Sequence, residues 1–202
     1  MIASAGQQEY LDFEKTWQYE TGIFHRIGNM FDNRLVTYYT HIHDYLLIDR
    51  VSTTHGYQGW NLDKVIFWGI EYEFNAKIKQ LSIFGNYTYK ANDVEEDDPE
   101  QVQGFWIQLP PKHSIKLSLR YPIGDSILLT WDQRYTGSRK SENGLHLDSY
   151  PTSDLGVQYS FYQNKAKFLA YVANIFGENY EEVYGYPMPR QTFGVQLKYS
   201  FF

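Results

Sequence analysis

The 202-residue chain carries 18 basic and 24 acidic side chains, no cysteine, and 18 % aromatic residues, among them 19 tyrosines. A disulfide framework and a thiolate metal centre are excluded, and the formal charge of -6 argues against a nucleic-acid partner, which would want a basic face. No run reaches the roughly 18 apolar residues of a membrane helix, and the amino terminus MIASAGQQEY has neither the cationic stretch nor the apolar core of a signal peptide.

Along the chain the dominant period is two. The spacing predicts strands over 15–27 and 34–48, then over 64–74, where Ile66, Trp68, Ile70, Tyr72 and Phe74 oppose Val65, Phe67, Gly69, Glu71 and Glu73. Strands follow over 81–89, with Leu81, Ile83, Gly85, Tyr87 and Tyr89 on one face, and over 113–121, with Ile115, Leu117 and Leu119 opposite Lys116 and Arg120. Residues 127–135, 153–161 and 165–175 continue the pattern. The chain ends on Thr192-Phe-Gly-Val-Gln-Leu-Lys-Tyr-Ser-Phe-Phe202, where Phe193, Val195, Leu197, Tyr199 and Phe201 alternate with polar or small residues. That makes about nine strands and no amphipathic helix.

The connections alternate in length. Short turns are expected near 28–33, 75–77, 122–125 and 162–164, and long polar loops over 49–61, 91–112, 137–149 and 176–190. Short turns at one end and long loops at the other organise outer-membrane barrels, with the short turns periplasmic. The expected fold is therefore all-β, an antiparallel transmembrane β-barrel meander. Trp68, Tyr72, Leu117, Trp131, Tyr159 and Leu197 should face lipid, and Gly69, Glu71, Lys116, Arg120, Gln158 and Lys198 the lumen. A final strand running inward after a long loop, counted back over nine strands, starts the chain outside. Whole bacterial barrels have even strand numbers and both ends in the periplasm. Residues 1–202 are therefore expected to be one carboxy-terminal barrel segment of an open, curved sheet.

Several segments resemble the TonB-dependent receptor family. Glu14-Lys-Thr-Trp-Gln-Tyr-Glu-Thr-Gly22 resembles P-E-K-S-x-x-Y-E-x-G, with Phe13 in the place of proline. His43-Asp-Tyr-Leu46 is similar to a D/K-D-x-I strand end, and Asn61-Leu-Asp-Lys64 with Gly69-Ile-Glu71 to N-x-x-K-A…G-x-E. Tyr135-Thr-Gly-Ser-Arg139 resembles Y-x-G-x-R, and Asn174-Ile-Phe-Gly-Glu-Asn-Tyr180 resembles N-L-F-D-x-x-Y. Gly185-Tyr-Pro-Met-Pro-Arg-Gln-Thr-Phe193 is similar to G-x-P-x-P-G-R-T-F, with Arg190 where glycine is usual, so the turn should differ there. The resemblance implies a barrel of about 22 strands closed around an amino-terminal plug. It also implies uptake of a scarce nutrient such as a siderophore, cobalamin or sugar, energised by the TonB complex. The plug and TonB-contacting segment do not occur in these residues.

Candidate chemistry is sparse. On the lumen face Glu71, Glu73, Lys116, Arg120, Asp132 and Arg134 are candidates for contact with a ligand or plug, or for mutual charge satisfaction. The acidic stretch Asp93, Glu95, Glu96, Asp97, Asp98 and Glu100 offers oxygens to a cation, but its spacing matches no EF-hand and it reads as a solvated loop. His41 and His43 share a strand face, which the reading places in a wet lumen, and two imidazoles are too few for a metal site. Ser138, Ser141 and His146 share a loop, but nothing in sequence activates them. No enzyme and no cofactor is expected. Thr192, Gly194, Leu197, Tyr199, Phe201 and Phe202 follow a polar-x-Gly-x-x-hydrophobic-x-aromatic order that resembles the signal read by the barrel assembly machinery. The expected partners are outer-membrane lipid, that machinery, the TonB complex through a plug, and a nutrient ligand. The competing readings are a small self-contained outer-membrane barrel with a structural or adhesion role and a soluble β-sheet binding protein. The latter would need its apolar face inside.

Overall fold

Alternation with a period of two is realised as extended chain almost everywhere. The computed structural model describes residues 11–52, 56–95, 110–141 and 145–201. In chain order the strands are β1 (Lys15–Ile27), β2 (Phe31–Ser52), β3 (Gly56–Ile78), β4 (Leu81–Glu95), β5 (His113–Ile123), β6 (Ile127–Thr136), β7 (Arg139–Lys140), β8 (His146–Leu147), β9 (Tyr150–Phe161), β10 (Ala166–Ala173), β11 (Glu181–Val183), β12 (Tyr186–Pro187) and β13 (Thr192–Tyr199). Nine of them form one antiparallel sheet in the order β1-β2-β3-β4-β5-β6-β9-β10-β13. Each main strand pairs with the next along the chain, with only the small hairpins β7–β8 and β11–β12 set aside. No described residue is helical. Among the described residues, β1 and β13, the two ends of this order, do not touch, so the sheet stays open.

The register divides the side chains between two faces, because residues directly opposite one another in an antiparallel pair project to the same side. One rung runs Leu119–Trp131–Leu155–Val172–Phe193 across five strands. The neighbouring type of rung runs Arg34–Glu73–Asn86–Lys116–Arg134–Thr152 across six. Followed over the whole sheet, the pairing puts Trp68, Tyr72, Leu117, Trp131, Tyr159 and Leu197 on one face. Gly69, Glu71, Lys116, Arg120, Gln158 and Lys198 lie on the other.

Such a sheet has almost no core of its own. The buried hydrophobic residues are Val36, Leu62, Val65, Leu147, Tyr150 and Ala166. The apolar face instead presents Trp17, Tyr39, Trp68, Ile115, Leu155, Val157, Phe168 and Val195 in the open. Aromatic rings gather at both ends of that face. Trp68 meets Tyr89 edge-on at 5.3 Å near the long connections, and Tyr159 stacks on Phe161 at 5.6 Å near the short turns. Two aromatic belts flanking an aliphatic band are the lipid-facing pattern of membrane barrels.

The structure corrects several boundaries. Most of the region expected as a loop at 49–61 is strand: β2 and β3 run on to Ser52 and Gly56, paired out to Ser52↔Gly56 past an irregularity after Arg50, and residues 53–55 lie outside the described residues. At 22 and 23 residues, each is roughly 75 Å long, far more than the 9–11 residues a membrane strand needs. The glycines and charged residues of 49–61 read as a loop because they show no clear apolar alternation, while backbone pairing needs no apolar face. The turn expected at 75–77 lies at Lys79–Gln80, where Lys79 takes a φ of 54°. The loops 137–149 and 176–190 each hold a short hairpin, β7–β8 and β11–β12.

Candidate functional site

The polar face is the side on which function is to be sought, and its residues fall into three zones. Toward the long connections, three segments singled out in sequence come together. Asn61 accepts from the Asp12 amide at 2.7 Å and donates to the Asp12 and Asp44 carbonyls at 3.0 and 2.6 Å. Glu14 accepts from the Leu46 amide at 2.7 Å, and Lys15, which by register stands opposite His43 on the apolar face, pairs with Asp44 at 2.9 Å. Asp44 sits at φ 56°, outside strand geometry, which turns its side chain toward Lys15. The Glu14-Lys15, His43-to-Leu46 and Asn61 motifs thus form one clasp over β1, β2 and β3.

A second clasp forms beside β6, β9 and β10. Arg134 pairs with Asp154 at 2.6 Å, and the other Asp154 oxygen accepts from the Asn174 amide at 2.8 Å. Asn174 is buried, at φ 51°, and its side chain closes the turn after β10. Its Oδ1 accepts from the Glu178 amide and its Nδ2 donates to the Glu178 carbonyl, both at 2.9 Å. Gln191 donates to the Ile175 carbonyl at 2.5 Å, and Tyr150 stacks on Tyr180 with centroids 4.2 Å apart. Burial, helped by the Glu182 carboxylate, pushes the Tyr180 phenol above its ordinary range. Arg190 is not among the residues that take a positive φ.

The third zone lies near the short turns. A concavity of about 450 Å³ is lined by Asp32, Asn75, Lys77, Ser82, Lys116, Ser118 and Arg120, among others. Asn75 donates to Asp32 at 3.0 Å, and the buried Ser118 hydroxyl donates to Asp132.

The expected lumen residues therefore stand on one face, but not as one cluster. Lys116 and Arg120 line the concavity, Arg134 belongs to the Asp154 clasp, Asp132 holds Ser118, and Glu71 and Glu73 stand on β3 with Glu73 opposite Arg34. His41 and His43, their rings 4.1 Å apart, belong by register to the apolar face, in line with Trp17 and Ile66, and not to the polar one. Both stand near the middle of β2. His146 sits 3.2 Å from Asp148, and Ser141 is buried within its hairpin. Of the acidic stretch, only Asp93 and Glu95 lie within the described residues, at the end of β4, and Phe202 lies outside them. Gly194 stands opposite Tyr171, whose ring covers it: a Cβ on Gly194 would meet that ring at 2.2 Å. The sequence reading missed Asp154, Ser153 and the central part played by Asn174. Asn174 opens a quoted motif, but that Asp154 reaches it follows only from pairing of β9 with β10.

Comparison with known proteins agrees with this geometry. A family model described as TonB dependent receptor-like, beta-barrel, matches residues 2–175. No curated protein sequence matches. Among solved structures, the copper transporter OprC is similar with a TM-score of 0.80 and 18 % identity, over 96 % of this chain and 32 % of that one. The FrpB iron transporter from Neisseria meningitidis gives 0.76 and 12 %, over 94 % and 32 %. The siderophore receptor PirA from Acinetobacter baumannii gives 0.74 and 19 %, over 93 % and 32 %. The chain spans about a third of the length of these structures, whose likeness establishes the fold. With its nine-stranded meander and a family match over most of its length, the chain belongs to the TonB-dependent receptor family, in the β-barrel part.

Proposed function

We propose that this chain is barrel wall in an outer-membrane receptor that takes up a scarce nutrient with energy delivered by the TonB complex. The observation that carries the reading is the exposed apolar face, continuous over nine strands and flanked by aromatic belts, on a sheet without a core. Burying an apolar side chain is worth roughly 1.5–3 kcal/mol, so a face of this extent calls for an apolar solvent, and lipid is the one that fits a barrel. The polar face then lines the lumen, the short turns face the periplasm, and the long connections face outward. Residues 1–202 act as one domain, a stretch of barrel wall that covers about a third of the length of the similar structures.

The nutrient class that fits is a metal or a metal–siderophore complex, since the similar structures are named for copper, iron and siderophores. Glu71, Glu73, Lys116, Arg120, Asp132 and Arg134 would contact the plug or the passing ligand. Thr192, Gly194, Leu197, Tyr199, Phe201 and Phe202 would present the last strand to the assembly machinery, where an unpaired edge can add to another sheet. The test is uptake. Cells carrying the full receptor gene should accumulate a labelled ferric siderophore or copper only when TonB is present, and the chain should fractionate with the outer membrane. Recovery of the receptor in a soluble fraction, or uptake of these cargoes unchanged on deleting the gene, would refute the reading.

A further inference from the structure

We propose that the turn end of the polar face is a binding site for oxyanions, centred on Lys77, Lys116 and Arg120; this rests on that face lining a lumen. The chain as a whole is acidic, with a formal charge of -6, yet this end of this face is not. Arg26, Lys77, Arg120, Lys167 and Lys198 all lie there by register, against the carboxylate of Asp32 opposite Arg26, and Lys167 and Lys198 stand directly opposite each other across β10 and β13. Three cations elsewhere in the sheet are matched: Lys15 has Asp44, Arg34 has Glu20 at 3.7 Å, and Arg134 has Asp154. Among the described residues, Lys77, Lys116 and Arg120 have no such partner.

These three surround the concavity of about 450 Å³, a volume within the range of small-ligand sites. Lys77, Ser82 and Arg120 form a single rung, so the two cations flank a hydroxyl with roughly 10 Å between their strands. Lys116 lies four residues along β5 from Arg120, about 13 Å away along the strand. The Asn75 amide and the Ser118 hydroxyl are already committed to Asp32 and Asp132, so the three cations and Ser82 remain for a guest. Three positive groups spread over this triangle suit a ligand with two or more carboxylate or phosphate groups better than a single small anion. Arg120 can hold one such group through two parallel hydrogen bonds. Like charges held around one concavity repel each other when empty, and a polyanion removes that repulsion.

The same chemistry has two sources: a free multivalent oxyanion, or carboxylates of a receptor segment that fills the lumen. Purified full-length receptor in detergent at low salt distinguishes them. The probe is sodium tripolyphosphate, titrated by calorimetry against the receptor, the Lys77→Gln, Lys116→Gln, Arg120→Gln triple variant, and a charge-keeping Lys77→Arg, Lys116→Arg variant that leaves Arg120 in place. A free-ligand site predicts binding that the glutamine variant weakens about tenfold or more, that the charge-keeping variant retains, and that rising salt screens. An internal partner predicts no tripolyphosphate binding, with lumen segments cut by protease several times faster in the glutamine variant but not in the charge-keeping one. Single glutamine substitutions are read in the same way, so a misfolded triple variant leaves the test intact. Wild-type behaviour of the glutamine variants in both arms would overturn the site. Neither arm measures transport, so a receptor that binds the probe but fails in uptake would refute the function above and leave the site standing.

Discussion

Replacing Asn174 tests whether a motif residue acts through backbone geometry and its amide together. The side chain makes two bonds to the Glu178 backbone, accepting from its amide and donating to its carbonyl, and it does so from a left-handed φ of 51°. Each bond is worth about 1 kcal/mol net, so Asn174→Ala, which loses both and keeps a Cβ in the left-handed region, should cost about 2 kcal/mol. Asn174→Gly loses the same bonds but relieves about 1 kcal/mol of left-handed strain, about 1 kcal/mol in all. The assay is hydrogen exchange on the full receptor in detergent, read at the Glu178 amide. Protection there should fall about 5-fold in the glycine variant and about 30-fold in the alanine variant, since 1.4 kcal/mol is a factor of ten. The loss should be confined to residues around 174–191, because the clasp lies beyond the end of β10 and local opening need not unfold the sheet. An alanine variant as protected as the glycine variant would remove the backbone part of the argument. Wild-type protection in both would refute the whole of it.

Three further outcomes are expected. Leu117→Arg, near the middle of β5 on the apolar face, should destabilise the receptor in lipid vesicles by roughly 2–4 kcal/mol; an unchanged urea midpoint would mean that this face does not meet hydrocarbon. Tyr162, Gln163 and Asn164 form a turn with three successive left-handed residues, at φ 52°, 55° and 65°. Gln163→Gly should therefore raise the urea midpoint by the equivalent of about 0.5–1 kcal/mol, and a lowered midpoint would show that the glutamine side chain matters more than its backbone. Deleting Phe201 and Phe202 together with Tyr199→Ala should reduce the amount of receptor in the outer membrane while leaving ligand affinity unchanged in what does insert. Normal insertion with lost affinity would place these residues in the binding site.

The sequence by itself determined the class of fold and the two faces. Alternation in 64–74, 113–121 and 127–135 is a one-dimensional signal, and pairing with a period of two cannot scramble it without moving whole strands to the wrong side. That is why Trp68, Leu117 and Trp131 could be assigned one face, and Glu71 and Lys116 the other, before any partner was known. Where the pattern weakened, so did the reading. The stretch 49–61 reads as a loop because its apolar alternation is weak, while the backbone pairing of β2 with β3 does not depend on it. His41 and His43 alternate with Ile42 and were placed in the lumen on polarity alone. Register with Trp17 and Ile66 decides otherwise. The clasps and the cationic concavity depended wholly on tertiary structure. Asp44 and Asn61, or Lys77 and Arg120, are brought together by the register of strands separated along the chain. That register is set by every rung of the sheet at once, and no local spacing in the sequence encodes it.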